Sequence, residues 1–290
     1  VSCTVRLNEL MSGHTSFKIG GPADILVLPE SIEQLREVLK VVKETVVPLT
    51  LLGNGSNVLV RDKGIRGIVI KLGNMLRHFY EAEDLLVFGS GYSLALASYK
   101  AMECGRTGME FAVGIPGSIG GAVYMNAGAY DGEMQNIVNC VKVMDLQGNE
   151  RVLTAEELNF GYRKTSLQNS GLIVTEVTLK MPSGNKDEIK SKMDDFSHRR
   201  ISKQPLEMPS AGSMFKRPPG YFAGTLIDQA GLKGYTVGGA QISTKHAGFV
   251  VNVGGATAAD VLQLIKDVQT KIKAGVGVEL QPEVLVIGEE

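Results

Sequence analysis

Three cysteines in 290 residues, Cys3, Cys104 and Cys140, lie far apart and form no CxxC pair. Their number and spacing exclude a disulfide framework and a zinc ribbon, and leave reduced thiols of the kind found in the cytosol. Histidine is equally sparse: His14, His78, His198 and His246 are scattered and take no HExxH spacing, so no metal centre is expected. No apolar run reaches the roughly 18 residues of a simple membrane span. The segment Val1–Glu9 has no long apolar core of a secretory signal. Net charge is −1, from 30 Lys and Arg against 31 Asp and Glu, so there is no broad basic surface for nucleic acid, although a local basic pocket stays open. The expectation is a cytoplasmic monomer with no membrane span and no nucleic-acid partner.

Glycine is abundant instead, with 35 residues spread along the chain rather than gathered in a low-complexity tract. The stretch Gly114-Ile-Pro-Gly-Ser-Ile-Gly-Gly-Ala-Val-Tyr-Met-Asn-Ala-Gly-Ala-Tyr130 holds five glycines, one proline and no charge in 17 residues. It is too apolar for a solvated linker and too glycine-rich for an ordinary helix. Glycine admits positive φ and close approach, and free N–H groups in such a loop can converge on an anion without a lysine. Two readings stand: backbone packed against a partly anionic dinucleotide, or a buried turn between strands.

Length points to about two domains. Asp24–Leu28 reads as a strand. Ser31 N-caps a helix with its apolar stripe on Ile32, Leu35, Val38, Leu39 and Val42. Val47–Leu52, Val58–Val60 and Gly67–Leu72 follow as apolar pulses of strand length, giving a small α+β unit. Leu85–Phe88 is a strand, Ser93–Glu103 a helix stopped by Gly105, and Val138–Leu146 with Arg151–Leu153 a hairpin. Leu172–Met181 is a strand, and Pro182-Ser-Gly-Asn185 breaks the composition. Beyond it come a charged helix over Lys186–Arg200, a short helix over Phe222–Ala230 and a strand at Phe249–Val253. Thr257-Ala-Ala-Asp260 has the form of a capping box opening a helix with Val261, Leu264, Ile265, Val268 and Ile272 on one face. Val278–Ile287 reads as a terminal strand interrupted by Pro282.

Several short motifs could carry chemistry. Gly53-Asn-Gly-Ser-Asn57 is a tight turn or a loop aiming donors at a pyrophosphate; it lacks the third glycine of a Rossmann fingerprint and the Gly-Lys-Ser/Thr ending of a Walker loop. Arg163, after Tyr162, either holds an enolate or carboxylate or marks a surface strand end. In Ala211-Gly-Ser-Met-Phe-Lys-Arg-Pro218, Ser213 could give a proton to a developing carbanion beside Lys216 and Arg217, or sit in an ordinary ST-turn. Glu283, in Gln281-Pro-Glu-Val284, is either an exposed edge residue or part of a site. The basic stretch His198-Arg-Arg-Ile-Ser-Lys-Gln-Pro205 is a solvated helix end or an anion site.

Taken in order, His14-Thr-Ser-Phe-Lys-Ile-Gly-Gly21, Leu52-Gly-Asn-Gly-Ser-Asn57, Gly114-Ile-Pro-Gly-Ser-Ile-Gly-Gly121, Asn126-Ala-Gly-Ala-Tyr130, Tyr162-Arg163, Gly212-Ser-Met-Phe-Lys216 and Pro282-Glu283 resemble the UDP-N-acetylenolpyruvoylglucosamine reductase (MurB) family, in its shorter type II form. The resemblance covers nearly the whole chain. It implies an α+β fold: a two-part FAD-binding domain of the vanillyl-alcohol-oxidase/PCMH type over residues 1–183, subdivided near 72, then an α+β substrate-binding domain over 184–290. The terminal strand 283–290 would pack back on the first domain. It implies FAD and NADPH as cofactors and the enolpyruvyl ether of UDP-N-acetylglucosamine as substrate. NADPH reduces the flavin, the reduced flavin delivers hydride to C3, and a proton added at C2 completes UDP-N-acetylmuramate. By the same resemblance Ser213 is the proton donor, while Arg163 and Glu283 flank the enolate and carboxylate; Glu283 helps most when protonated. Gly53, Asn54, Gly55, Ser56 and Asn57 would hold the FAD pyrophosphate and adjacent groups. So would Gly114, Gly117, Ser118, Gly120, Gly121 and Val123, with Asn126 and Gly128 beyond them. Lys203, Lys216, Arg217, Tyr221 and Gln241 would bind substrate.

Two departures from the family pattern stand out. Arg217 replaces a frequent Asn, and Asp131 replaces a frequent Gly. The short Leu167–Pro182 connection leaves no room for a tyrosine-bearing insertion, and Tyr221 could supply a substitute aromatic. The alternative function is another FAD-dependent oxidase or dehydrogenase of the same fold, although no histidine stands in a flavin-linking context. A colourless, non-catalytic sugar-nucleotide-binding module is the remaining alternative.

Overall fold

Alternating valines and leucines build the larger sheet. The structure, a computed structural model, describes residues 3–73 and 75–290; Val1 and Ser2, at the head of the Val1–Glu9 segment, and Asn74 lie outside the described residues. The chain divides into two compact units. One comprises the residues up to Val5, Val27–Asn54 and Ile68–Arg200; the other comprises Arg6–Leu26, Gly55–Gly67 and Ile201–Glu290. The division falls within the strands Thr4–Leu10, Pro22–Leu28 and Ile65–Lys71 and near the end of the helix Lys186–Lys203.

In the first unit five antiparallel strands lie in the order Glu150–Thr154, Val138–Met144, Ile173–Lys180, Leu85–Gly89 and Phe79–Ala82. The register sets Val141 opposite Leu153 and Val177, and Val177 opposite Phe88. A period of two in the side chains therefore sends Val141, Val177, Leu179, Leu86 and Phe88 into one core. The helices Leu94–Glu103 and Ile119–Tyr124 cover it with Ala97, Ala101, Ile119, Ala122 and Val123. The helix Ile32–Thr45 starts as expected, with the Ser31 hydroxyl accepting from the Gln34 amide. It buries Leu35, Val38 and Leu39, each contributing about 2 kcal/mol by area removed from water. The strand Leu49–Leu52 pairs in parallel with residues 68–71.

In the second unit Ser210–Ser213, Phe249–Asn252, Ala240–Ile242 and Thr236–Val237 form an antiparallel sheet in that order. The helix Ala258–Val276 lays Val261, Leu264, Ile265, Val268 and Ile272 into the core and ends at Gly277, whose φ of +71° suits glycine. Its capping box is present in both directions between Thr257 and Asp260.

Two expectations fail. The glycine-rich stretch does contain a helix, Ile119–Tyr124, because Ser118 N-caps it and Gly120 lies against Ser90, so tertiary contacts override poor propensity. The terminal strand is only Leu285–Ile287, paired in parallel with Val58–Val60; Pro282 lacks an amide and Glu283 precedes the ladder rather than lying within it. The exposed strand Thr4–Leu10 and the strand Phe79–Ala82 were not anticipated.

Candidate active site

Ser118 is where two glycine-rich segments meet in the first unit. Its hydroxyl accepts from the Gly121 amide at 3.3 Å and so opens the helix Ile119–Tyr124. A Cβ built on Gly53 would lie 3.3 Å from this oxygen, and one on Gly121 would lie 3.4 Å from it, with no other described residue beyond the neighbouring backbone within 4 Å of either. The turn after Leu85–Gly89 runs alongside: Leu94 donates to the Gly117 carbonyl at 3.1 Å, Ile119 to Tyr92 at 2.9 Å and Gly120 to Ser90 at 2.9 Å. Gly53, Ser118 and Gly121 thus come together at one surface without projecting side chains at these glycines. None of the backbone amides of residues 54–57 donates to another described residue. Unused donors in such a segment fit the diphosphate of a dinucleotide.

Neighbouring glycines do different work here. Gly55, at φ +68°, cannot carry a side chain, because a Cβ would stand 2.3 Å from the His14 carbonyl oxygen. Gly114, at φ +71°, lies against Arg200, whose Cδ would be 2.9 Å from a Cβ there. Gly117 is also left-handed, at φ +135°. Val123 belongs to the core. Asn126 is fully buried and serves the fold: its amide donates to Glu133 Oε2 at 3.1 Å and to the Gly161 carbonyl at 3.0 Å, and its oxygen accepts from Gln135 at 3.0 Å. Gly128 pairs with Glu133 in a two-residue hairpin whose turn is Tyr130-Asp131, at φ +50° and +63°. That conformation explains why glycine is favoured at 131 and why Asp, which tolerates it, can stand there.

Arg163 occupies a tight turn closed by Gly161 and Lys164, at φ +55°, a strained setting for an arginine. Its guanidinium donates to the carbonyls of Asn126 at 3.4 Å and Gly128 at 3.2 Å and lies 5.1 Å from the Tyr162 ring centre. It therefore joins the far end of the glycine-rich segment. The basic helix end is divided: Arg199 pairs with Asp195 at 2.7 Å, whereas Arg200 is buried beside Tyr130, and burial pushes its guanidinium below the usual arginine range. Its placement is that of an interior residue, not of a solvated helix end.

In the second unit, Ser213 ends the strand Ser210–Ser213 after a register irregularity, with Gly212 at φ +76°. Such a bulge re-aims the next side chain. Ser213 is exposed between the buried Ala211 and Met214, and its hydroxyl makes no hydrogen bond to a described residue, which removes the ST-turn reading. The following segment runs beside the Glu283 segment: Lys216 donates to Gln281 at 2.8 Å, Glu283 donates to Met214 at 2.8 Å, and Phe215 bridges Pro282. Asn57 is tied to the same place, donating from Nδ2 to the Glu283 carbonyl at 3.3 Å, while its own carbonyl accepts from Leu285 at 3.0 Å. Gln241 lies on the next strand but one, opposite Val251, and donates to Thr236 Oγ1 at 3.0 Å. Arg217 stacks over Phe222 at 4.0 Å, beside the exposed Tyr221. Lys203 is exposed at its helix end.

Sequence reasoning missed Ser90 and Asp62. The Asp62 carboxylate accepts from the Ala258 and Ala259 amides at 2.7 and 2.9 Å, across a separation that no local motif announces. Among the described residues, no group of three or more His, Cys, Asp or Glu is placed to hold a metal, and no helix is long and apolar enough to cross a membrane.

Known proteins match this layout. Residues 23–154 match the FAD binding domain family, and residues 204–287 match the UDP-N-acetylenolpyruvoylglucosamine reductase C-terminal domain family. The UDP-N-acetylenolpyruvoylglucosamine reductase of Clostridioides difficile (strain 630) is 49% identical over 99% of this chain and 94% of its own length. That of Clostridium perfringens (strain SM101 / Type A) is 51% identical over the same shares. The crystal structure of the Thermus caldophilus enzyme superposes with a TM-score of 0.84 at 39% identity, covering 98% of this chain and 99% of that one. With its α+β FAD-binding domain followed by this C-terminal domain, the chain belongs to the UDP-N-acetylenolpyruvoylglucosamine reductase (MurB) family of flavin-dependent oxidoreductases.

Proposed function

We propose that this chain reduces UDP-N-acetylglucosamine enolpyruvate to UDP-N-acetylmuramate, with NADPH as reductant, in the cytoplasm and as a monomer. Cofactor binding falls within residues 1–183 and substrate binding within 184–290. The chemistry supplied by bound FAD is two-electron transfer from NADPH to C3 of the enolpyruvyl ether.

The chain's own residues do the rest. The amides of residues 54–57 and the surface around Gly53, Ser118 and Gly121 hold the cofactor diphosphate and adjacent groups, together with residues of Gly114–Gly128. Ser213 gives its proton to C2, and the nearby positive charges of Lys216 and Arg217 lower the cost of the alkoxide it leaves. Arg163 holds the carboxylate as charge develops on it, and its rigid turn means little rearrangement is needed at that moment. Glu283 lies on the enolate side and favours the reaction in its neutral form, since a second anion there would oppose the enolate. Lys203 and Lys216 serve the diphosphate of the sugar nucleotide. Arg217, already fixed over Phe222, adds a third cation; Gln241 and Tyr221 contact the sugar and base.

The observation that carries this reading is the display of Ser213. A glycine bulge turns one hydroxyl outward, with no protein partner among the described residues, on a segment hydrogen-bonded to that of Glu283. Two half-reactions test it by stopped flow. Ser213→Ala is expected to leave NADPH-driven flavin reduction unchanged and to slow reoxidation by the enolpyruvyl substrate by about 10²–10⁴-fold. Unchanged rates for both halves remove Ser213 as the acid.

A further inference from the structure

We infer that the Ser90 hydroxyl is a cofactor contact, donating a hydrogen bond to an acceptor oxygen of bound FAD. The inference rests on the FAD-binding reading above. Ser90 is 4% exposed, and its Oγ is buried without a hydrogen-bond partner among the described residues. Buried hydroxyls are nearly always paired, so a native one without a protein partner calls for an explanation. Its backbone offers none, because both groups are in use: the amide donates to the Thr175 carbonyl at 3.0 Å, and the carbonyl accepts from Gly120 at 2.9 Å.

Position supplies the explanation. Ser90 stands in the turn between the strand Leu85–Gly89 and the helix Leu94–Glu103, and that turn is hydrogen-bonded along residues 117–120. A Cβ on Gly120 would lie 2.7 Å from Ser90 Cβ, so Ser90 packs directly on the first turn of the helix Ile119–Tyr124. Ser118, two residues from Gly120, carries the hydroxyl that faces both Gly53 and Gly121. Ser90 is thus built into the support of the glycine surface assigned to the cofactor. A serine hydroxyl adds a neutral donor there, matching the uncharged character of the whole segment. FAD carries phosphate, ribityl and ring oxygens that accept such a bond.

Ser90→Ala separates this role from packing, because the two predict opposite effects on the apoprotein. FAD is titrated into apoprotein by flavin fluorescence, and thermal midpoints are taken with and without FAD. The expected result is an FAD Kd raised about tenfold. The apoprotein midpoint stays level or rises, because an unpaired buried oxygen has been removed. A Kd within twofold of wild type overturns the inference, as does an equal fall in both midpoints. Should Ser90→Ala not fold, Ser90→Cys, slightly larger and with only a weak donor, takes its place, and the same tenfold criterion applies. Wild-type protein that fails to bind FAD would instead overturn the FAD reading itself.

Discussion

Gly120 and Gly121 are adjacent, share a helix and look alike as letters, yet they answer to different constraints. A methyl on Gly120 meets Ser90 Cβ at 2.7 Å and the Ser90 carbonyl oxygen at 3.1 Å, distances that force a shift of backbone. Among the described residues beyond its own helix backbone, a methyl on Gly121 meets only the Ser118 hydroxyl, at 3.4 Å, an ordinary contact. Gly120→Ala is therefore expected to cost about 1–3 kcal/mol in urea unfolding of the apoprotein, by overpacking. Gly121→Ala should leave that stability level or raise it by up to about 1 kcal/mol, the helix gain over glycine. It should weaken FAD binding, because the methyl enters the surface assigned to the cofactor. Equal effects of the two substitutions on both measurements would argue against this division. Glycine content alone pointed to a ligand or a buried turn; which glycine serves which end depends on Ser90 and Ser118, which only the fold brings near.

The helix Ala258–Val276 shows how far local signals reach at the scale of one element. Its start was legible, because Thr257 and Asp260 are three apart and satisfy each other's amides at 3.1 and 2.9 Å. Its second cap was not: Asp62 takes the Ala258 and Ala259 amides from 196 and 197 residues away. Together the two caps meet the open donors of the first turn, the Asp260 amide with the Thr257 hydroxyl and the others with carboxylates, where the helix dipole also favours an anion. Thr257→Ala is expected to lower stability by about 1 kcal/mol, read as the urea midpoint at constant slope. Asp62→Ala should lower it further, and the double variant should depart from the sum, since the two caps hold consecutive amides of one turn. The misread elements have the same origin. Apolar letters over 278–287 promised a strand, but Pro282 and the pairing with Phe215 leave only Leu285–Ile287 in the ladder. Glycines at 120 and 121 argued against a helix that Ser118 and Ser90 nevertheless hold in place.

For the molecule as a whole, stability should fall with acid in two stages carried by two different units. No composition break announces that Arg6–Leu26 and Gly55–Gly67 belong with Ile201–Glu290; long-range pairing decides it. In that unit burial pushes the His246 imidazole below its usual value, and Lys233 and Lys203 lower it further, against its own backbone hydrogen bond. Its Nδ1 accepts from the Gly248 amide at 3.1 Å, a role open only to the neutral ring. In the other unit burial raises Glu110, but hydrogen bonds from Thr107 and from the amides of Glu110 and Gly108, with Lys192 nearby, outweigh it and leave the carboxyl below its usual 4.5. Both folded values are depressed, so in each case the unfolded chain takes up its proton first as pH falls. The contribution of His246 is complete above about 6.5 and is lost as pH falls through its folded value. That of Glu110 is complete above about 4.5 and is lost below it. Urea midpoints of the apoprotein are therefore expected to decline between pH 7.5 and 5.5. His246→Gln, which keeps an acceptor for Gly248, should flatten that interval while leaving the decline below pH 4.5 intact. A variant that tracks wild type through the upper interval would show that His246 is not the group responsible.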